Sequence, residues 1–82
     1  MSEELKKRMK INLQNQFDLY DKYLPCLRTH AEEIVDALQD EDTEELVAVF
    51  KECKIPKKYW MKLIILAKKA YDSEFQSWQL GP

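Results

Sequence analysis

Pro56-Lys57-Lys58-Tyr59-Trp60-Met61-Lys62-Leu63-Ile64-Ile65-Leu66-Ala67-Lys68-Lys69-Ala70-Tyr71 places Trp60, Leu63, Ile64, Ala67 and Tyr71 at spacings of three and four. Residues so spaced share one face of an α-helix. Ile65 and Leu66 widen the apolar arc, so this segment reads as the most buried helix of the molecule. Pro56 suits its first turn, where a missing N–H leaves no bond unmade. The chain's one glycine is Gly81, so glycine-bearing hairpin turns are absent, and so is a glycine-rich phosphate cradle. The fold expected is all-α.

The same reading extends outward in both directions. Ser2 is placed to cap a helix whose first turn holds Glu3 and Glu4, where the helix dipole favours acids. Leu5, Met9 and Leu13 form its apolar stripe, and Ile11 faces away. The pattern falters between Asn12 and Gln16, then resumes as Phe17, Tyr20, Tyr23 and Leu24 before Pro25. A second helix ending there is expected. Thr29-His30-Ala31-Glu32 has capping-box form, with Ala31, Ile34, Val35 and Leu38 behind it. Asp42 repeats the cap signal ahead of Leu46, Val49, Phe50 and Cys53. Ser73-Glu74-Phe75-Gln76 is a further capping box, opening a last helix with Phe75 and Trp78.

Six short antiparallel helices follow, near 3–13, 15–24, 29–39, 43–53, 57–70 and 73–79. They form one compact bundle spanning residues 1–82, because short connections force neighbours to pack. A chain of 82 residues buries only about 60–65% of the surface its unfolded form exposes. Ile34, Phe50, Trp60, Leu63 and Ile64 are its expected core.

Enzyme chemistry finds little purchase. His30 is the one histidine, and nothing beside it in sequence orients it as a general base. Cys26 and Cys53 show no zinc-site spacing. Cys53, on an apolar stripe, reads as a core thiol, and Cys26, after Pro25, as a partly exposed one. With no secretory leader at Met1, both thiols are expected reduced and unbridged, in the cytoplasm. Asp40 through Glu45 lacks the central glycine of a calcium-binding loop. No cofactor, metal or small-molecule substrate is expected, and the longest uncharged apolar run, Leu63 to Ala67, is too short for a membrane span.

Charge is the positive signal. The net charge is −2, which argues against nucleic acid as the partner. That total hides strong segregation. Glu32, Glu33, Asp36, Asp40, Glu41, Asp42, Glu44 and Glu45 follow one another with no base between them. Lys51, Lys54, Lys57, Lys58, Lys62, Lys68 and Lys69 then follow with Glu52 as the lone acid, and Lys6, Lys7, Arg8 and Lys10 crowd the first helix. Opposite patches on one small domain steer it onto a complementary surface, and where the patches differ the contact is head-to-tail.

The helix order resembles that of the death-fold superfamily, and within it the caspase-recruitment domains. Tyr23-Leu24-Pro25-Cys26-Leu27, Leu46-Val47-Ala48-Val49-Phe50, Tyr59-Trp60 with Leu63-Ile64 and Leu66-Ala67, and Tyr71 through Phe75 to Trp78 carry the likeness. The resemblance implies homotypic assembly in innate immune or apoptotic signalling. It also implies that bases on the first and fourth helices (Lys6, Lys7, Arg8, Lys10, Lys51, Lys54) meet acids on the second and third helices of a neighbour, those on the third being Glu32, Glu33, Asp36 and Asp40. Two other readings remain open: a module that docks an unrelated peptide or helix in an apolar groove, and a nucleic-acid binder using Lys51 to Lys69.

Overall fold

Ser2 opens the first helix as expected, its Oγ accepting from the backbone N–H of Leu5 at 3.1 Å. The structure, a computed structural model, describes residues 2–80, of which the side chains of 78–80 lie outside the described set. The expected role of Trp78 therefore falls outside the described residues, as do Gly81 and Pro82. Five α-helices follow in order: α1 (Glu3–Gln16), α2 (Leu24–Thr29), α3 (Ala31–Gln39), α4 (Thr43–Glu52) and α5 (Trp60–Leu80). Single 3-10 turns lie at Asp18–Tyr20 and Lys57–Tyr59, and no strand occurs among the described residues.

The all-α class is as the periodicity requires, but the count is five rather than six. Two boundaries move. The expected second helix over 15–24 does not form: α1 runs unbroken to Gln16, residues 17–23 wind through a 3-10 turn, and α2 begins where that helix was to end. Pro25 sits in the first turn of α2 and opens it instead of closing the one before. The last two expected helices are one. Ser73 lies inside α5, because nothing between Ala70 and Phe75 interrupts the helix and Tyr71 stacks on Phe75 one turn on, centroids 6.0 Å apart. A capping box is a local signal, and it yields where the apolar stripe continues through it.

The capping box at Thr29 also goes unused. Thr29 Oγ1 donates back to the carbonyl of Pro25 at 3.0 Å, and His30 is the residue before α3, with no side-chain cap. Asp42, by contrast, caps α4 as expected, accepting from the N–H of Glu45 at 3.1 Å.

Both α3 and α4 end in the same closure. Glu41 and Lys54 adopt left-handed φ of 55° and 58°. Asp42 N–H then reaches the carbonyl of Ala37 at 2.8 Å and Ile55 N–H that of Phe50 at 2.9 Å, the longer bond of a Schellman ending. Ile55 is buried there, a core residue that the periodicity missed because it lies outside any helix.

The core gathers one stripe from each long helix. Leu5, Met9, Leu13 and then Phe17 from the α1 side meet Leu63, Ala67 and Ala70 of α5, with Ile34, Val35, Leu46, Val49 and Phe50 closing the other side. Of the expected core, Ile34, Phe50 and Leu63 are fully buried, while Trp60 and Ile64 are only partly so. Trp60 stands at the edge, its indole N–H donating to the carbonyl of Ile55 at 2.8 Å and the Lys51 ammonium lying 5.9 Å from its ring. The helix phase is unaffected, since Leu63, Ala67 and Ala70 below it are all buried. Among the described residues no helix is long and apolar enough to cross a membrane.

A side chain with a Cβ in the left-handed region is held there at a cost of about 1 kcal/mol. Glu41→Gly and Lys54→Gly are each expected to raise stability by about 0.5–1 kcal/mol in urea unfolding, where glycine elsewhere in a helix lowers it.

Candidate functional site

The two charged regions do not lie as the sequence segregates them. Packing α1 beside α3 turns Lys6 and Lys10 inward along the bundle surface. Lys6 Nζ lies 2.9 Å from Glu32 and 3.3 Å from Asp36, and Lys10 pairs with the other oxygen of Glu32. Arg8 reaches across to Glu74 of α5 at 3.2 Å, and Asn12 donates to the same carboxylate. Of the first-helix bases, only Lys7 stands exposed with no ion pair among the described residues. The basic face expected on α1 is thus largely matched by the chain's own acids.

Two further groups of charge sit at the ends of α4. At its N-terminal end Glu45 is half-buried, and burial raises its pKa above the usual carboxylate value, helped by Asp42, Asp40, Asp36 and Glu33 around it. These acids come from α3, the α3–α4 turn and α4, so distant parts of the acidic run do converge. Glu33 and Asp40 are exposed and in no ion pair among the described residues, whereas Glu32 and Asp36 face α1. At the C-terminal end Lys51, Lys54, Lys57, Lys58 and Lys62 are all exposed. Lys58 lies 5.1 Å from the ring of Tyr59, which itself packs edge-on against Tyr20. Ten residues of α4 separate the ends, about 15 Å. Acids at a helix N-terminus and bases at its C-terminus also complement the dipole of α4 itself.

A groove of about 390 Å³ adjoins the acidic end, floored by Ala37, Leu38, Leu46 and Tyr71 and rimmed by Glu41, Asp42, Asp72 and Lys68. Burial in its wall, then the charge of Asp72, raises the pKa of the Tyr71 phenol. It holds no nucleophile–base pair.

The cysteines require a correction. Cys26 and Cys53, expected as separate thiols, are joined in a disulfide, with Cα atoms 5.7 Å apart. The reason is the displaced second helix. Because α2 starts at Leu24, Cys26 lies in its first turn, where it meets Cys53 at the C-cap of α4. His30, one helical turn beyond Cys26, brings its Nδ1 to 3.8 Å from Cys26 Sγ and 4.0 Å from Cys53 Sγ. The ligand-type atoms of these three residues lie within 4.8 Å of one another. The Cys26-to-His30 spacing of four was visible in the sequence; the approach of Cys53 was not. While its sulfurs are bonded to each other, neither is a free thiolate ligand.

Two measurements check this electrostatic and covalent frame. Lys10, then Lys6, hold the Glu32 carboxyl below its usual value, and Glu32, then Asp36, raise Lys6. A lowered carboxyl stabilises the fold above its unfolded-state pKa and loses that contribution as pH falls; the raised lysine loses its contribution as pH climbs past its ordinary value. Glu32→Gln should therefore melt below wild type near neutral pH, the gap closing on acidification to about pH 3. The disulfide closes a loop with a sequence separation of 27, which by chain entropy stabilises by about 3.5 kcal/mol. Urea unfolding of the Cys26→Ala, Cys53→Ala double variant should show a loss of that order.

No known protein family, no characterised protein and no solved structure matches the chain.

Proposed function

We propose that this chain is a protein–protein docking module that associates head-to-tail, the acidic end of α4 of one domain meeting the basic end of another. One observation carries the reading: exposed acids in no ion pair among the described residues, Asp40, Glu41, Asp42 and Glu44, gather at the N-terminal end of α4, with Glu33 near enough to act on Glu45, and Lys51, Lys54, Lys57, Lys58 and Lys62 gather at its C-terminal end. The two ends belong to different surfaces, so the contact is heterologous and can propagate. The paired charges of α1 and α3 narrow the earlier expectation. Lys6, Arg8 and Lys10 pair within the chain, and Lys7, Lys51 and Lys54 are the bases of that expectation left for a partner.

The resemblance to caspase-recruitment domains extends this reading to recruitment assemblies of innate immune or apoptotic signalling in the cytoplasm. It rests on the apolar positions quoted above. A separate sixth helix, part of the helix order that carried it, is absent from the structure. The docking reading stands on the charges without it. A second reading uses the groove beside Tyr71, whose apolar floor and mainly acidic rim suit a basic amphipathic helix of an unrelated protein.

Sedimentation at two salt levels tests the first reading, because attraction between exposed charges is screened within about 8–10 Å at physiological ionic strength. Wild type should associate at low salt and dissociate as salt rises. A basic-end variant (Lys54→Glu, Lys57→Glu, Lys58→Glu) and an acidic-end variant (Glu33→Lys, Asp40→Lys) should each stay monomeric. Mixed, they should form one-to-one pairs, since the intact acidic end of the first still fits the intact basic end of the second. Surface changes of this kind shift stability by about 0.5 kcal/mol or less each. Association that persists in both variants and at high salt contradicts the reading and favours the groove.

A further inference from the structure

α2 is the most weakly held helix of the bundle. It has six residues, too few for a helix to persist on its own account, and it gives the core Leu27 as its one fully buried side chain. Its other anchor is covalent, the bond from Cys26 to Cys53 at the end of α4. The two residues differ in burial: Cys53 is buried at 8% exposure, whereas Cys26 is half-buried and the more accessible of the pair.

His30 completes the arrangement. Its Nδ1 lies 2.9 Å from the carbonyl oxygen of Cys26, which can only accept, so Nδ1 carries the proton in this geometry. The nitrogen that carries it lies 3.8 Å from Cys26 Sγ and 4.0 Å from Cys53 Sγ, so the N–H has only to turn from the carbonyl to reach a thiolate. An N–H held there stabilises negative charge developing on sulfur, and a better-stabilised thiolate leaves a disulfide faster.

We propose that Cys26–Cys53 is an exchangeable disulfide, opened by a low-molecular-weight thiol at Cys26, with His30 as the residue that positions an N–H for the departing Cys53 thiolate. The thiolate of the small thiol attacks Cys26 Sγ; the Cys26–Cys53 bond breaks and its electron pair leaves on Cys53 Sγ, which takes a proton from water. A second small thiolate attacks the outer sulfur of the mixed disulfide, releasing the Cys26 thiolate and the small-molecule disulfide. In sum, one protein disulfide and two small thiols give two protein thiols and one small disulfide; the reverse closes the bond. Opening removes the covalent anchor of α2, so residues 18–30 loosen, while the packing of α1 and of α4 against α3 and α5 keeps the rest of the bundle. The proposal does not depend on the docking reading.

Glutathione serves as the probe. The oxidised domain, equilibrated in buffers of stepped reduced-to-oxidised glutathione ratio, is acid-quenched, alkylated and weighed. The expected result is a reversible transition with a glutathione adduct trapped on Cys26 and none on Cys53. Hydrogen exchange of the reduced protein should rise over residues 18–30 and stay protected in α1, α3 and the first half of α5. His30→Leu should slow opening roughly three- to tenfold. His30→Asn, whose amide nitrogen can take the place of Nδ1, should restore much of the rate. The wild-type titration needs no variant and stands if either fails to fold. A disulfide that stays closed at every ratio overturns the proposal, as does an adduct on Cys53. Tight binding of one equivalent of zinc(II) by the reduced protein also overturns it, because the thiols would then serve a metal.

Discussion

Ala67 and Ala70 of α5 are fully buried, and against them lie Leu5, Met9 and Leu13 of α1. Alanine at these positions lets α1 approach closely, and larger side chains would force the helices apart at about 1–3 kcal/mol. The rest of the molecule depends on this seam. It sets the rotation of α1, and that rotation points Lys6 and Lys10 at α3 and Arg8 and Asn12 at Glu74. The most concentrated basic segment of the sequence is thereby bound to the chain's own acids. The ends of α4 are where exposed acids and exposed lysines each gather without an ion pair among the described residues.

This ordering explains why charge runs in the sequence are a poor map of charged surfaces. Glu32 and Glu33 are neighbours in the chain, yet a helix turns about 100° per residue, so one faces α1 and the other the acids of α4. The sequence pattern groups them as one face; the packing divides them. Asp36 stands between, paired with Lys6 and close enough to Glu45 to raise its pKa.

The stripes of α1, α3, α4 and α5 were legible because each is long enough for a three-and-four period to repeat, and Ser2 and Asp42 cap where they should. Residues 17–30 were not. Tyr20, Tyr23 and Leu24 are spaced as a helix would space them, but they pack partly buried from a 3-10 turn and the start of α2. Pro25 fits either the end of one helix or the start of the next, and only the position of α4 decides between them. The disulfide goes with that boundary, because Cys26 meets Cys53 from the first turn of α2. The loss of the sixth helix has a similar origin: Ser73 and Gln76 have the residues of a cap, but the Tyr71–Phe75 stack carries the helix through.

The central claim is that opposite ends of α4 meet between domains while the α1–α3 charges pair within one. Zero-length carbodiimide coupling of mixed isotopically light and heavy chains at low salt separates the two kinds of contact directly. Light-to-heavy links should join Glu33, Asp40 or Glu45 to Lys51, Lys54, Lys57, Lys58 or Lys62, and links of Lys6 and Lys10 to Glu32 should stay within a single chain. Light-to-heavy links that are absent, or that run through Lys6 and Lys10 instead, would contradict it.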